Sequence, residues 1–180
     1  LTPDRFIGVA EISGLSERIT RWVLNEVCSQ INRWRRVRPD FDVPVSVNVA
    51  GREMGSTALP TLVRSALAKH GIAPHLIVLE ITERTLVKES DVDNDVLAEL
   101  AALGVGLVLD DFGTGYSMMG YLKRMPITAL KIDQSFIEGI PGDADSRAIV
   151  HAMIAVAKHF KLKVVAEGIE SLEQVQYMRD

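Results

Sequence analysis

Gly106-Leu107-Val108-Leu109-Asp110-Asp111-Phe112-Gly113-Thr114-Gly115-Tyr116 sets an apolar run against two adjacent carboxylates and a glycine-rich loop. Leu107 to Leu109 read as a buried strand, and the glycines mark its end. Acids buried side by side repel each other unless cations neutralise them. A strand tip bearing Asp110 and Asp111 therefore suits a divalent metal, because hard cations such as Mg²⁺ prefer carboxylate oxygens. Taken alone, the same residues would also serve as a solvated acidic turn.

The rest of the chain weighs against the turn. Val43–Asn48, Leu76–Glu80, Ala129–Asp133 and Leu162–Glu167 are built alike, each an apolar run closed by a polar group. Helical spacing fills the intervals. Val23, Val27, Ile31 and Trp34 form one stripe, Val92, Val96, Leu100 and Leu103 a second, and Ile149, Met153, Val156 and Phe160 a third. Strands alternating with amphipathic helices predict an α/β fold with a parallel sheet and βαβ crossovers. Such a sheet gathers its C-terminal strand ends on one rim, where both (β/α) barrels and open doubly wound sheets bind ligands. Packing alone does not explain Asn48, Glu80, Asp110, Asp133 and Glu167 at five successive strand ends.

The ordered motifs resemble the EAL domain, the phosphodiesterase domain that hydrolyses the bacterial second messenger cyclic di-GMP. The matching residues are Phe6-Ile7 with Ala10-Glu11 and Gly14-Leu15, Trp22-Val23-Leu24, Val47-Asn48-Val49 and Leu79-Glu80-Ile81-Thr82-Glu83. They continue through Asp110 to Ser117, Leu130-Lys131-Ile132-Asp133 and Val165-Ala166-Glu167-Gly168-Ile169-Glu170. The resemblance implies a modified TIM-type (β/α)₈ barrel with one strand antiparallel to the rest. A complete barrel takes about 250 residues, whereas the chain has 180. Residues 1–180 are thus expected to be an EAL-type phosphodiesterase domain, partial at both ends: an incomplete excerpt lacking the first strands and the closing strand. The Glu-Ala-Leu segment that names the family, whose Glu is a metal ligand, would lie upstream of Leu1. The truncated chain alone is therefore expected to be impaired as an enzyme.

By resemblance, Asn48, Glu80 and Asp110 match ligands of one metal ion, and Asp110 and Asp111 match ligands of a second. Glu167 stands beside the second ion as ligand or water partner. Lys131 matches the residue that holds and helps activate the attacking water; read from its position alone, it would also pass as a strand-end lysine reaching for solvent. Asp133 matches a site-facing acid. The implied cofactors are two Mg²⁺ or Mn²⁺ ions, and the implied reaction is in-line water attack that opens one phosphodiester bond to give linear pGpG. Glu83, with Gly113, Thr114 and Gly115, would support the loop after Asp111, which would couple metal binding to a homodimer. Met118 and Met119 depart from the family's usual Ser and Leu. The lost hydroxyl is expected to weaken regulation or dimerisation before chemistry.

A hydrophobic content of 47% and a charged content of 24% describe an ordinary globular composition. The net charge of −4 argues against nucleic-acid binding, which asks for a basic face. The single cysteine, Cys28, excludes an internal disulfide and reads as a core thiol. Arg33, Arg35, Arg36 and Arg38 crowd the end of a helix, where cations suit the dipole. His70, His75, His151 and His159 lack metal-ligand spacing. Pro39–Pro44 and Pro141–Asp145 read as loops. No apolar run is long enough to be a membrane span or signal peptide, so the segment is expected to be cytoplasmic, without membrane contact. An upstream sensor or cyclase domain is expected from the family's habits. Two alternatives stand beside the enzyme: a catalytically silent cyclic di-GMP receptor or interaction module of the same fold, and an unrelated two-metal phosphoesterase.

Overall fold

The computed structural model describes residues 3–83, 94–114 and 122–179. Two helices come first, α1 (Pro3–Ile12) and α2 (Ser16–Val37). Strand β1 (Val45–Asn48) follows, then α3 (Gly51–Met54) and α4 (Ala58–His70), and β2 (Ile77–Thr82). Beyond α5 (Asn94–Ala102) come β3 (Gly106–Phe112), β4 (Ala129–Ile132) and α6 (Gln134–Ile137). The described chain closes with α7 (Ala144–Phe160), β5 (Lys163–Ala166) and α8 (Leu172–Arg179).

The five strands form one sheet in the order β1-β2-β3-β4-β5, and every pairing is parallel. Side chains alternate between faces along a strand, so the register decides which residues share a side. Val47 pairs with Leu79, Ile81 with Leu109, and Leu109 with Leu130. Together with Leu107 and Ile132, these make a buried apolar face under the helices. The other face carries the intervening residues. Asn48 pairs with Glu80, Thr82 with Asp110, and Lys131 with Val165. Asn48, Glu80, Thr82, Asp110 and Lys131 sit toward the C-terminal strand ends of this face, and parallel pairing points those ends the same way.

Helix packing refines the sequence reading by one position. The buried stripe of α2 is Thr20, Leu24, Cys28 and Ile31, whereas Val23 and Val27 are half-buried and Trp34 is exposed, tilted against the ring of Phe41. Burial pushes the Cys28 thiol up to about 11, as an inert core cysteine requires. In α7 the buried residues are Val150, Met153 and Ala157, and Ile149 is exposed. In α5, Val96 and Leu100 are buried as expected, and Val92 lies outside the described residues.

Two boundaries also move. Strand β3 runs on through Asp110, Asp111 and Phe112 rather than stopping at Leu109. Ala144 and Asp145 belong to α7, whose N-cap Asp143 accepts a 2.7 Å bond from the backbone N–H of Ser146. Among the described residues, no helix is long and apolar enough to cross a membrane.

Candidate metal centre

In a regular strand Asp110 and Asp111 would point to opposite faces. A local irregularity prevents this. The β3–β4 register shifts between Leu109 and Phe112, and Asp111 adopts φ +54°, the left-handed region that short polar side chains tolerate. Its backbone N–H donates to Oδ1 of Asp110 at 3.0 Å. The bulge turns the second carboxylate toward the first, and carboxylate oxygens of Asp110, Asp111 and Glu167 lie within 4.8 Å of one another. Glu167 reaches the group from the end of β5, held there by its N–H bond to the Ile132 carbonyl at 3.1 Å.

Lys131 occupies the middle. Its Nζ lies 3.1 Å from Glu80 Oε2, 3.0 Å from Asp110 Oδ1 and 2.6 Å from Glu167 Oε1. Glu80 and Asp110 are each only 8% exposed, so their charges need a counter-ion. Burial works against the Lys131 charge, but the hydrogen bonds it donates to Glu167, Asp110 and Glu80 overcome it and hold the ammonium above the ordinary lysine range. Among the described residues, no ammonium or guanidinium is paired with Asp111. Burial first, then the charges of Asp110, Asp133 and Glu167, raise its pKa above the usual carboxylate value, with Lys131 opposing.

A sign follows for Asp111. A carboxyl whose pKa is raised by folding stabilises the fold below its unfolded pKa, and that contribution is lost as pH rises through the raised value. At neutral pH its charge therefore weighs against the metal-free fold. Asn tolerates the same φ and carries no charge. Asp111→Asn should raise the metal-free melting temperature at pH 7 in calorimetry, with the gain shrinking toward pH 4, while the stabilisation conferred by Mn²⁺ falls. A melting temperature below that of the wild type at pH 7 would refute the repulsion.

The loop beyond β3 is held from below. Glu83, 2% exposed, accepts a 2.9 Å bond from the Gly113 N–H through Oε2. Thr114 donates to the Asp111 carbonyl through Oγ1 at 2.9 Å and through its N–H at 3.2 Å. Gly113 has φ +99°, and a Cβ there would overlap the Met153 methyl and lie 3.1 Å from the Phe136 ring. Gly113→Ala should cost about 1–3 kcal/mol from backbone strain alone. An unchanged urea midpoint would contradict this.

The structure brings Glu80, Asp110, Asp111, Lys131 and Glu167 together. Asn48 stands beside Glu80 in register, exposed, at a cavity of about 230 Å³ that Ile7, Ala10 and Thr82 also line. Asp133 also has a structural occupation. It is the N-cap of α6, and its Oδ1 accepts from both the backbone N–H and the hydroxyl of Ser135. Gly115, Met118 and Met119 lie outside the described residues. The histidines stay away from the acidic cluster: His75 pairs with Asp42, His151 with Tyr177, and His70 with Asn25.

Over residues 1–180 the sequence matches the family described as the EAL domain. The chain belongs to the EAL domain family. It is 40% identical over 178 residues to the bifunctional diguanylate cyclase/cyclic di-GMP phosphodiesterase MucR of Pseudomonas aeruginosa, covering 99% of this chain and 26% of that protein. To the cyclic di-GMP phosphodiesterase NbdA of the same organism it is 41% identical over 180 residues, covering 100% of this chain and 23% of that protein. The chain thus spans about a quarter of the length of these curated relatives. Among solved structures, the c-di-GMP complex of the PaMucR phosphodiesterase superposes with a TM-score of 0.91 at 40% identity, over 99% of this chain and 77% of that one. The FimX EAL domain from Pseudomonas aeruginosa shares the fold at 20% identity, with a TM-score of 0.88 over 99% of this chain and 70% of that one. The chain is therefore an EAL domain homologous to cyclic di-GMP phosphodiesterases.

Proposed function

We propose that this domain is the hydrolytic core of a metal-dependent phosphodiesterase that opens cyclic di-GMP to linear pGpG. The observation that carries the reading is the Lys131 ammonium held by Glu80, Asp110 and Glu167 at the sheet rim, next to the bulged Asp110-Asp111 pair. The donor set suits hard divalent cations: it is all oxygen, its Glu80 and Asp110 are buried, and it has one lysine to balance several acids. Asp110, Asp111 and Glu167 would hold one Mg²⁺ or Mn²⁺, and Asn48, Glu80 and Asp110 a second, together with a Glu supplied from elsewhere in the full barrel. When bound, the ions would lower the pKa of a water and neutralise charge on the phosphate.

The roles of the chain's own groups follow from their electrostatics. In the metal-free fold Lys131 is held protonated through neutral pH by Glu80, Asp110 and Glu167, and its proposed role is that of a hydrogen-bond donor that orients water and phosphate. Once cations take up the acids that now face it, its N–H groups become available for this task. The water's proton would pass to a carboxylate of the rim, and the half-buried Glu167, 2.6 Å from Lys131, is the acid we assign to accept it. Asp133 contributes negative potential from its cap position, and Glu83 fixes the loop through Gly113.

The five parallel strands would be part of a modified (β/α)₈ barrel, with residues 1–180 forming part of one EAL-type domain. The loop after Asp111 would carry a homodimer contact, and an upstream sensor or cyclase domain would regulate a cytoplasmic enzyme. To test the function, the full-length protein is given cyclic di-GMP with Mg²⁺ or Mn²⁺ and pGpG is quantified by chromatography. Product that disappears with chelator is expected. Tight binding without product would instead make the protein a receptor of the same fold.

A further inference from the structure

Glu167 is the one member of the acidic cluster that lies beyond a strand end, on the loop from 167 to 171 between β5 and α8. Something must hold that loop for its carboxylate to stay near Asp110 and Asp111. The loop turns sharply at Gly168, φ +69°, where a Cβ would come within 2.7 Å of Gln134 Cβ. Its far end is fastened by Gln174, a side chain only 8% exposed. Gln174 Oε1 accepts from the N–H of Glu170 at 2.8 Å and of Ser171 at 3.0 Å, and its Nε2 donates to the Ile137 carbonyl at 3.1 Å.

Part of this is an ordinary helix start. Ser171 and Gln174 form a capping box, and Ser171 Oγ accepts from the Gln174 N–H at 3.1 Å. A capping box needs only the bonds between those two residues. The bonds to Glu170 and to Ile137 add nothing to the cap; they tie the loop to the end of α6. Helix α6 is itself capped by Asp133, which directly follows β4 and its Lys131. One buried amide thus links the loop bearing Glu167 to the segment bearing Lys131.

We propose that Gln174 is a positioning residue of the metal centre, which fixes Glu167 relative to Asp110, Asp111 and Lys131. The inference rests on the proposed metal site. Partners hydrogen-bonded directly to a metal ligand are worth about 10–100-fold in metal affinity, and Gln174, which acts through the loop backbone, is set at the low end of that range. The test uses the full-length protein and measures Mn²⁺ binding directly, from the electron paramagnetic resonance signal of free Mn²⁺. Gln174→Met removes the side-chain bonds while keeping volume, and should weaken Mn²⁺ binding at least about tenfold. Ser171→Ala removes the cap hydroxyl alone; it should lower the melting temperature yet leave Mn²⁺ affinity within about twofold of wild type. Exposed Glu173→Ala should change neither quantity. A folded Gln174→Met protein with wild-type Mn²⁺ affinity would overturn the proposal. So would Ser171→Ala losing as much affinity as Gln174→Met, since the effect would then belong to the helix cap. Should Gln174→Met not fold, the Ser171→Ala affinity still decides: a tenfold loss there defeats positioning by the amide. A wild-type protein that binds no Mn²⁺ would instead remove the metal site itself, and this inference with it.

Discussion

Asp110→Ala is expected to lower pGpG formation by more than ~100-fold, beyond the range found when only an outer partner of a metal ligand is lost. Asp110 is the acid common to both proposed ion sites and touches Lys131 through Oδ1, the same atom that accepts the Asp111 N–H. The variant should still fold. Lys131 keeps Glu80 and Glu167 as partners, and the bulge retains the Thr114 bonds to the Asp111 carbonyl. The loss should therefore appear in turnover and Mn²⁺ affinity with little change in circular dichroism. Retention of more than a few per cent of wild-type activity at saturating Mn²⁺ would sink the two-ion assignment.

Lys131→Met should have the largest effect on the metal-free protein. It leaves Glu80, Asp110 and Glu167 facing one another with no ammonium between them. Breaking a buried pair by removing one partner costs about 3–5 kcal/mol, because a desolvated charge is left uncompensated. The pH dependence distinguishes this from lost packing. The pKa of Lys131 is raised in the fold, so its contribution is complete below the ordinary lysine value of 10.5 and fades as pH climbs beyond it. The wild type should lose stability in that alkaline window, and the variant should lack that loss. Mn²⁺ should raise its melting temperature more than that of the wild type, because the ion supplies the missing charge, yet turnover should remain low. Equal stability of both proteins from pH 7 to 10 would contradict this picture.

Much of the fold was legible because each strand is an apolar run ending in a polar group. Parallel pairing makes that pattern visible as a rim. Residue chemistry also pointed to Glu80, Asp110, Asp111 and Glu167, the family resemblance added Lys131, and the structure groups these five. What the pattern could not convey is how adjacent Asp110 and Asp111 come to share a face. Period-two alternation forbids it, and only the left-handed turn at Asp111 permits it. The stripe of α2 was displaced because periodicity weighs Val23 and Val27 above Thr20 and Cys28, whereas the face the helix buries carries Thr20, Leu24, Cys28 and Ile31. Asp133-Gln134-Ser135 carries a readable cap signal, which competes with the reading of Asp133 as a site acid. Ser171 and Gln174 likewise have capping-box spacing. The bond from Gln174 to Ile137, 37 residues earlier in the chain, is a tertiary fact that no local pattern encodes.

Anomalous diffraction from crystals of the full-length protein grown with Mn²⁺ tests the central claim most directly. The account predicts manganese density among Asp110, Asp111 and Glu167, with the Lys131 ammonium drawn away from at least one of the three acids it now bridges. Crystals saturated with Mn²⁺ that show no ion there, and Lys131 still paired with Glu80, Asp110 and Glu167, would contradict it.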